Sequence, residues 1–309
     1  MANSSIQLFQ TLEWAKRFLF RRPLALGNFN EPAITSANLV LQTVLGAPFA
    51  WRWNRAVLTF ITNPGQQDYI FFNWTPNFPV TLGFVLVDSN GFSQQVTVAG
   101  LTGLGPALPN FSPNVGTATT DGEVTWTNKG TAGLTNFDTT AQFGWIENAS
   151  VRDINPNTGL SEWKPMEAKI DLSLDSTQTR PRNISAEYDN GINTVTFRLV
   201  PAPDKSYPIA TTIQQKPQVI TGLQATWAPI PDEYSRLYNW GFLSLMYMYA
   251  DDARFQYANQ KFIANLLSTS DGLSETEKNI VLNNWMAVIG QPMIMSNTVQ
   301  DGFKGRGAL

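Results

Sequence analysis

Leu8, Leu12, Ala15 and Leu19 recur at helical spacing, and Phe9 and Phe18 widen that stripe, which predicts an amphipathic helix over residues 4–20 that Arg22-Pro23 ends. A second helix is predicted over 36–46, where "ANLVLQTVLG" runs from a Ser or Thr cap to a glycine stop. From Arg55 the period changes. "AVLTFITN", "DYIFFNW" and "TLGFVLVD" are strand-like runs divided by Asn-Pro-Gly, proline and Ser-Asn-Gly turn signals. "TTDGEVTWTNKG" reads as a turn at Asp121-Gly122 and a strand with Val124 and Trp126 on one face. Later, "ISAEYDNGINTVTFRLVP" places Asn190-Gly191 between two strands, with Val195, Phe197 and Leu199 alternating with Thr194, Thr196 and Arg198. "SYPIATTIQQKP" extends that pair into a meander, with Tyr207, Ile209, Thr211 and Ile213 on one side. Strands are thus expected at 55–62, 143–151 and 183–215.

After Pro231 the period is helical again, with helices predicted over 232–250, 253–268 and 275–289. Asp232 and Glu233 follow the proline in a first turn, and Ser274 with Glu277 gives a capping-box spacing for the last helix, whose buried side is Val281, Leu282, Trp285 and Ile289. The first of the three carries "NWGFLSLMYMYADD", free of charge from Gly241 to Ala250. The uncharged window between Arg236 and Asp251 is shorter than the roughly 20 residues of a membrane span. A helix apolar on all sides must then be covered by protein, either its own core or another copy of the chain. Tyr247, Met248 and Tyr249 suit both. The pattern as a whole predicts an α+β fold: a helical part from the N- and C-terminal segments, and an antiparallel β-meander carrying a small β-module.

Composition narrows the chemistry. The chain of 309 residues has no cysteine and no histidine, which removes disulfides, thiolate zinc sites, cysteine nucleophiles and any Ser-His-Asp triad. A net charge of -3 argues against holding nucleic acid by neutralising many phosphates. The basic residues of the N-terminus follow its apolar part, the reverse of a secretory signal, so it reads as a mature start, and the Asn-x-Ser/Thr triplets read as chance. Lys16, Arg17, Arg21 and Arg22 form a basic patch that either complements the helix dipole or contacts a phosphate or acidic partner.

Of the acidic clusters, Asp251-Asp252 and Asp232-Glu233 are sequence neighbours that point apart on a helix, so pairing with Arg236, Arg254 or a neighbouring chain is favoured over catalysis or a metal. "DSNG" at Asp88 begins like a calcium loop but lacks the downstream glutamate, and "GLTGLG" lacks the lysine and βαβ context of a phosphate loop. No cofactor and no enzymatic activity are expected. The tryptophans are scattered through all segments, which fits core or interface better than a sugar-binding platform, although Trp74, Trp126 or Trp145 would form one in a glycan-binding rival.

"GAPFAWRWNR" (46–55), "GQQDY" (65–69), "FGWIENASV" (143–151), "YPIATTIQQKPQVI" (207–220) and "APIPDEYSRLYNWGFLSLMYMYADDARF" (228–255), in this order, resemble the head-to-tail adaptor or neck proteins of tailed bacteriophages. The resemblance divides the chain into an adaptor core, 1–69 and 143–309, and an inserted β-module, 70–142. It implies a structural protein of the virion tail or neck, made in the host cytoplasm, that forms a ring of about twelve copies between the portal and the next tail component (nozzle, tail tube or fibres). Genome DNA would pass through without sequence readout, and no membrane is involved. Tyr238, Phe242, Met246, Tyr249 and Arg254 would lie at the subunit interface, and Phe303, Lys304, Arg306 and Leu309 would dock on the portal. The alternative is a tail nozzle, collar or fibre-attachment protein whose β-module binds a glycan or a partner.

Overall fold

A computed structural model describes residues 4–19, 30–139, 141–154, 158–169, 177–189, 191–269, 276, 278–280 and 283. The chain divides into a β-unit, essentially 50–219, and a helical unit made of 2–49, 220–227 and 231 onward. Most of the helix expected over 275–289 lies outside the described residues.

Among the described residues the β-unit holds thirteen strands: β1 (Arg55–Ile61), β2 (Asp68–Phe72), β3 (Pro79–Val80), β4 (Phe84–Val87), β5 (Phe92–Val98), β6 (Gly100–Leu101), β7 (Ala118–Asp121), β8 (Val124–Thr131), β9 (Trp145–Ile154), β10 (Ser161–Ala168), β11 (Asn183–Asp189), β12 (Thr194–Val200) and β13 (Pro208–Gln214). Eleven of them form one sheet in the order β1-β13-β9-β10-β11-β12-β2-β4-β5-β8-β7, and β3 pairs only with β6. The sheet is mixed, because β10–β11 and β2–β4 are parallel. It also curls until its ends meet: the Thr59 amide donates to the Ala132 carbonyl at 2.7 Å and the Thr59 hydroxyl to the Thr131 carbonyl. Gly133, at φ +80°, permits that approach, since a Cβ there would lie 2.6 Å from the Val57 carbonyl oxygen.

This overturns the expected α+β fold of helices plus a meander with a module. The protein is β-rich, 33% strand against 27% helix, around one large mixed sheet. Two physical reasons account for the difference. First, β13 does not lie beside β12; it runs between β1 and β9, paired antiparallel with both, so 183–215 is not a three-stranded meander. Second, β4, β5, β7 and β8, which fall in the expected module, join the same sheet as the rest.

Alternation explains that joining. Tyr69 and Phe71 of β2 and Val85 and Val87 of β4 face the main core, where Phe60, Phe137, Phe143, Phe197 and Ile209 also lie. Phe72, Phe84 and Leu86 face a second cluster with Val96, Phe111, Val124 and Trp126. The wall made by β2 and β4 is thus apolar on both faces, which is why "IFF" and "FVLV" read as unbroken apolar runs. Asp121 fixes the second cluster: its Oδ2 accepts from the indoles of Trp74 at 2.9 Å and Trp126 at 3.2 Å, and its Oδ1 from the Gly103 amide at 2.8 Å. Trp126 is fully buried, so it cannot serve an exposed sugar platform.

The helical unit contains α1 (Leu8–Leu19), α2 (Asn30–Leu45), α3 (Ser235–Tyr249) and α4 (Phe255–Thr269). The predicted start at Asp232 is a short 3-10 turn, Asp232–Tyr234, that leads into α3. α1 buries Leu8, Leu12, Ala15 and Leu19, but Phe9 and Phe18, read as part of that stripe, are exposed. The amides of Leu8 and Phe9 at its N-terminus donate to the carbonyls of Ala225 and Leu223. Trp227 pins the unit: it stacks on Tyr238 with centroids 4.5 Å apart and donates its indole N–H to the Thr11 hydroxyl at 2.8 Å.

Candidate functional site

The charge-free run of α3 is covered by its own unit as far as Tyr247. Leu237, Tyr238, Phe242, Leu243, Leu245 and Met246 are buried, with α1, α2 and α4 packed around them. Gly241 is the point of closest approach, because a Cβ there would fall 2.7 Å from the Phe262 ring of α4 and 3.1 Å from Val40 of α2. Tyr238, Phe242 and Met246, expected at a subunit interface, are therefore core residues of the helical unit and have no surface to offer. A sequence period identifies an apolar face but not what covers it.

Tyr249 and Arg254, the other two expected interface residues, do reach the surface, at the corner between α3 and α4. Tyr249 is 55% exposed beside Met248. Asp251 turns the chain with φ +51°, a left-handed conformation that aspartate tolerates better than most residues. Asp252 then receives Arg254: the guanidinium forms a two-pronged pair with its carboxylate and also donates to the Phe18 carbonyl at 2.8 Å. The same guanidinium lies 4.7 Å from the centroid of the Tyr247 ring. The hydrogen bonds that the guanidinium donates to the Asp252 carboxylate hold the Arg254 pKa above its ordinary value. Beside this corner opens a cleft of about 340 Å³ lined by Met248, Asp251, Asp252, Ala253, Phe255 and Gln256. Its lining sets two carboxylates beside the apolar Met248, Ala253 and Phe255, which gives it charge and shape for a contact.

The remaining expected positions are dispersed. Lys16 pairs with Glu13 one turn away and Arg17 is exposed, while Arg21, Arg22 and the four portal-docking residues lie outside the described residues. Asp232 is engaged locally: the hydroxyls of Ser5 and Ser4 and the amides of Ile6 and Ser5 donate to its carboxylate and hold its pKa below the ordinary range. Asp88 accepts from the amides of Asn90 and Phe92 and from the Gln94 side chain, as a turn does. Among the described residues no group of acids is arranged to hold a metal ion, and no helix is long and apolar enough to cross a membrane.

One charged constellation was missed in the sequence. Asp153 of β9 is approached by Lys205 at 3.2 Å, Lys164 at 3.5 Å and Arg180 at 3.8 Å. Desolvation pushes its pKa up, but the hydrogen bond from Lys205, the Ile154 amide and the charges of Lys205 and Lys164 outweigh it and hold the carboxyl below its ordinary range. The four residues come from distant parts of the chain, so no local signal announces them. No known protein family and no curated protein matches this chain.

Proposed function

We propose that the protein is a structural component of a bacteriophage virion, a head-to-tail adaptor that forms a ring between the portal and the tail and lines the DNA channel. The observation that carries this reading is where the resembling stretches fall. Two of them, 143–151 and 207–220, encode most of β9 and the whole of β13, which pair with one another in the sheet, and the last, 228–255, encodes α3 and its corner. Segments far apart in sequence thus supply adjoining elements, as expected if their order records one inherited assembly rather than chance matches. The reading assigns no catalytic role.

With Tyr238, Phe242 and Met246 buried, the ring contact moves to the surface at Tyr249 and the α3–α4 corner. The C-terminal residues Phe303, Lys304, Arg306 and Leu309 remain the segment proposed to dock on the portal. DNA passes without sequence readout, in keeping with the net charge of -3. The test is the mass of the purified protein by light scattering, alone and with the portal of the same virus. A monomer that becomes a ring on the portal supports the adaptor, and a protein that ignores the portal overturns it. Tyr249→Asp, which leaves the buried face intact, is expected to block the ring without unfolding the chain.

A further inference from the structure

The helical unit carries a second feature that the ring reading does not use. Four aromatic rings meet edge to face or tilted in one continuous path: Phe18 to Trp14 at 5.0 Å, Trp14 to Trp240 at 6.1 Å, and Trp240 to Tyr257 at 6.0 Å. They come from α1, α3 and α4. None is in the core: Phe18 is 40% and Tyr257 58% exposed, and both tryptophans are half-buried. Burying aromatic area stabilises a fold, so a path of rings left half in water across three helices needs another account.

Two properties of the path indicate what covers it. Its rings recur every 5.0 to 6.1 Å, close to the pitch of an α-helix, about 5.4 Å. One apolar side chain per turn of a docked helix can therefore seat between successive rings. Its flanks are cationic. Arg17 lies one turn from Trp14, Arg236 one turn from Trp240, and Lys261 one turn from Tyr257, with its ammonium 5.5 Å from that ring's centroid. Among the described residues these three cations pair with no carboxylate.

We infer that this strip is a docking site for an acidic amphipathic helix of a partner protein, anchored by apolar residues on the rings and steered by its acids toward Arg17, Arg236 and Lys261. Large aromatic anchors ringed by charge are the composition of interface hot spots. Single-stranded nucleic acid is a poorer fit, because stacking needs open ring faces. Here Trp14 and Trp240 meet at 87° and Trp240 and Tyr257 at 83°, so the edge of one ring meets the face of the next and no two neighbouring rings lie parallel as a platform for successive bases.

The test uses the full chain labelled with 5-fluorotryptophan, with the signals of Trp14 and Trp240 assigned through Trp14→Phe and Trp240→Phe and followed by fluorine NMR. The probes are a synthetic helix of about 18 residues with leucine once per turn and glutamate elsewhere, the same helix with lysine for glutamate, and a dT oligonucleotide. The glutamate helix is expected to shift both signals saturably and to bind at least roughly tenfold more tightly than either other probe, about 1.4 kcal/mol. The double substitution Tyr257→Ser, Lys261→Glu is expected to remove that preference while leaving the melting temperature unchanged. Equal binding of the two helices, tighter binding of the oligonucleotide, or binding indifferent to the double substitution would overturn the inference. So would sedimentation showing that the strip is occupied by a second copy of the chain.

Discussion

Each unit contains a group of touching aromatic rings, and the two groups are placed oppositely. In the β-unit Phe197 contacts Phe60, Phe71 and Phe143 at 5.4 to 5.9 Å, and all four lie in the closed interior. In the helical unit the path from Phe18 to Tyr257 lies at the surface. Ring contact alone therefore does not distinguish stability from recognition; burial does. Rings that have left water contribute to folding, and rings that remain half in water are available to something else.

Substitutions should separate the two. Phe197→Ala, which empties the centre of the β-unit, is expected to destabilise the protein by about 3–5 kcal/mol, read as a loss in the denaturant midpoint. Next comes Gly241→Val, which forces a side chain into the Phe262 ring; overpacking of this kind is expected to cost about 1–3 kcal/mol and to lower the melting temperature. A smaller effect is expected from acid. The folded pKa of Asp153 is depressed, so its contribution is fully present above the unfolded value near 3.9 and is lost as the pH falls through the lower folded value. Asp153→Asn should therefore lower stability at pH 7 by less than about 1 kcal/mol and flatten the decline measured below pH 4. Least of all, Tyr257→Ser should change stability by no more than about 0.5 kcal/mol by the same measurement, the mark of a ring that the fold does not need.

How much of this could be read in the chain follows the range of the interactions. The alternation of Val195, Phe197 and Leu199, and of Tyr207, Ile209 and Ile213, marks their inward faces, and all six are buried. Neighbours in the sheet leave no such mark: nothing near Pro208–Gln214 says that its partner is Arg55–Ile61 rather than the strand just before it. The segment 70–142 read as an inserted β-module, in which, after Asp88, the turn at Asp121-Gly122 and the alternation of Val124 and Trp126 marked a strand. The stretch after Asp88 builds β5 to β8 and the second apolar cluster against the outer face of the β2–β4 wall. Of the surface, the charge-free run placed Asp251 and Asp252 at its wet end, where the α3–α4 corner lies. The aromatic strip was not legible, because Phe18 has the same spacing as the buried residues of its helix and only tertiary packing separates it from them.

The meeting of the sheet's two ends also sets a timetable for synthesis. β1 leaves the ribosome first among the strands, but it pairs with β13, about 150 residues later, and its other edge receives only residues 131–132. At about 5–20 residues per second, roughly 7–30 s pass between the emergence of β1 and that of its partner. Throughout that interval the nascent chain presents Leu58 and Phe60 on an unpaired edge, so the yield of folded protein depends on what shields that strand before the last one arrives.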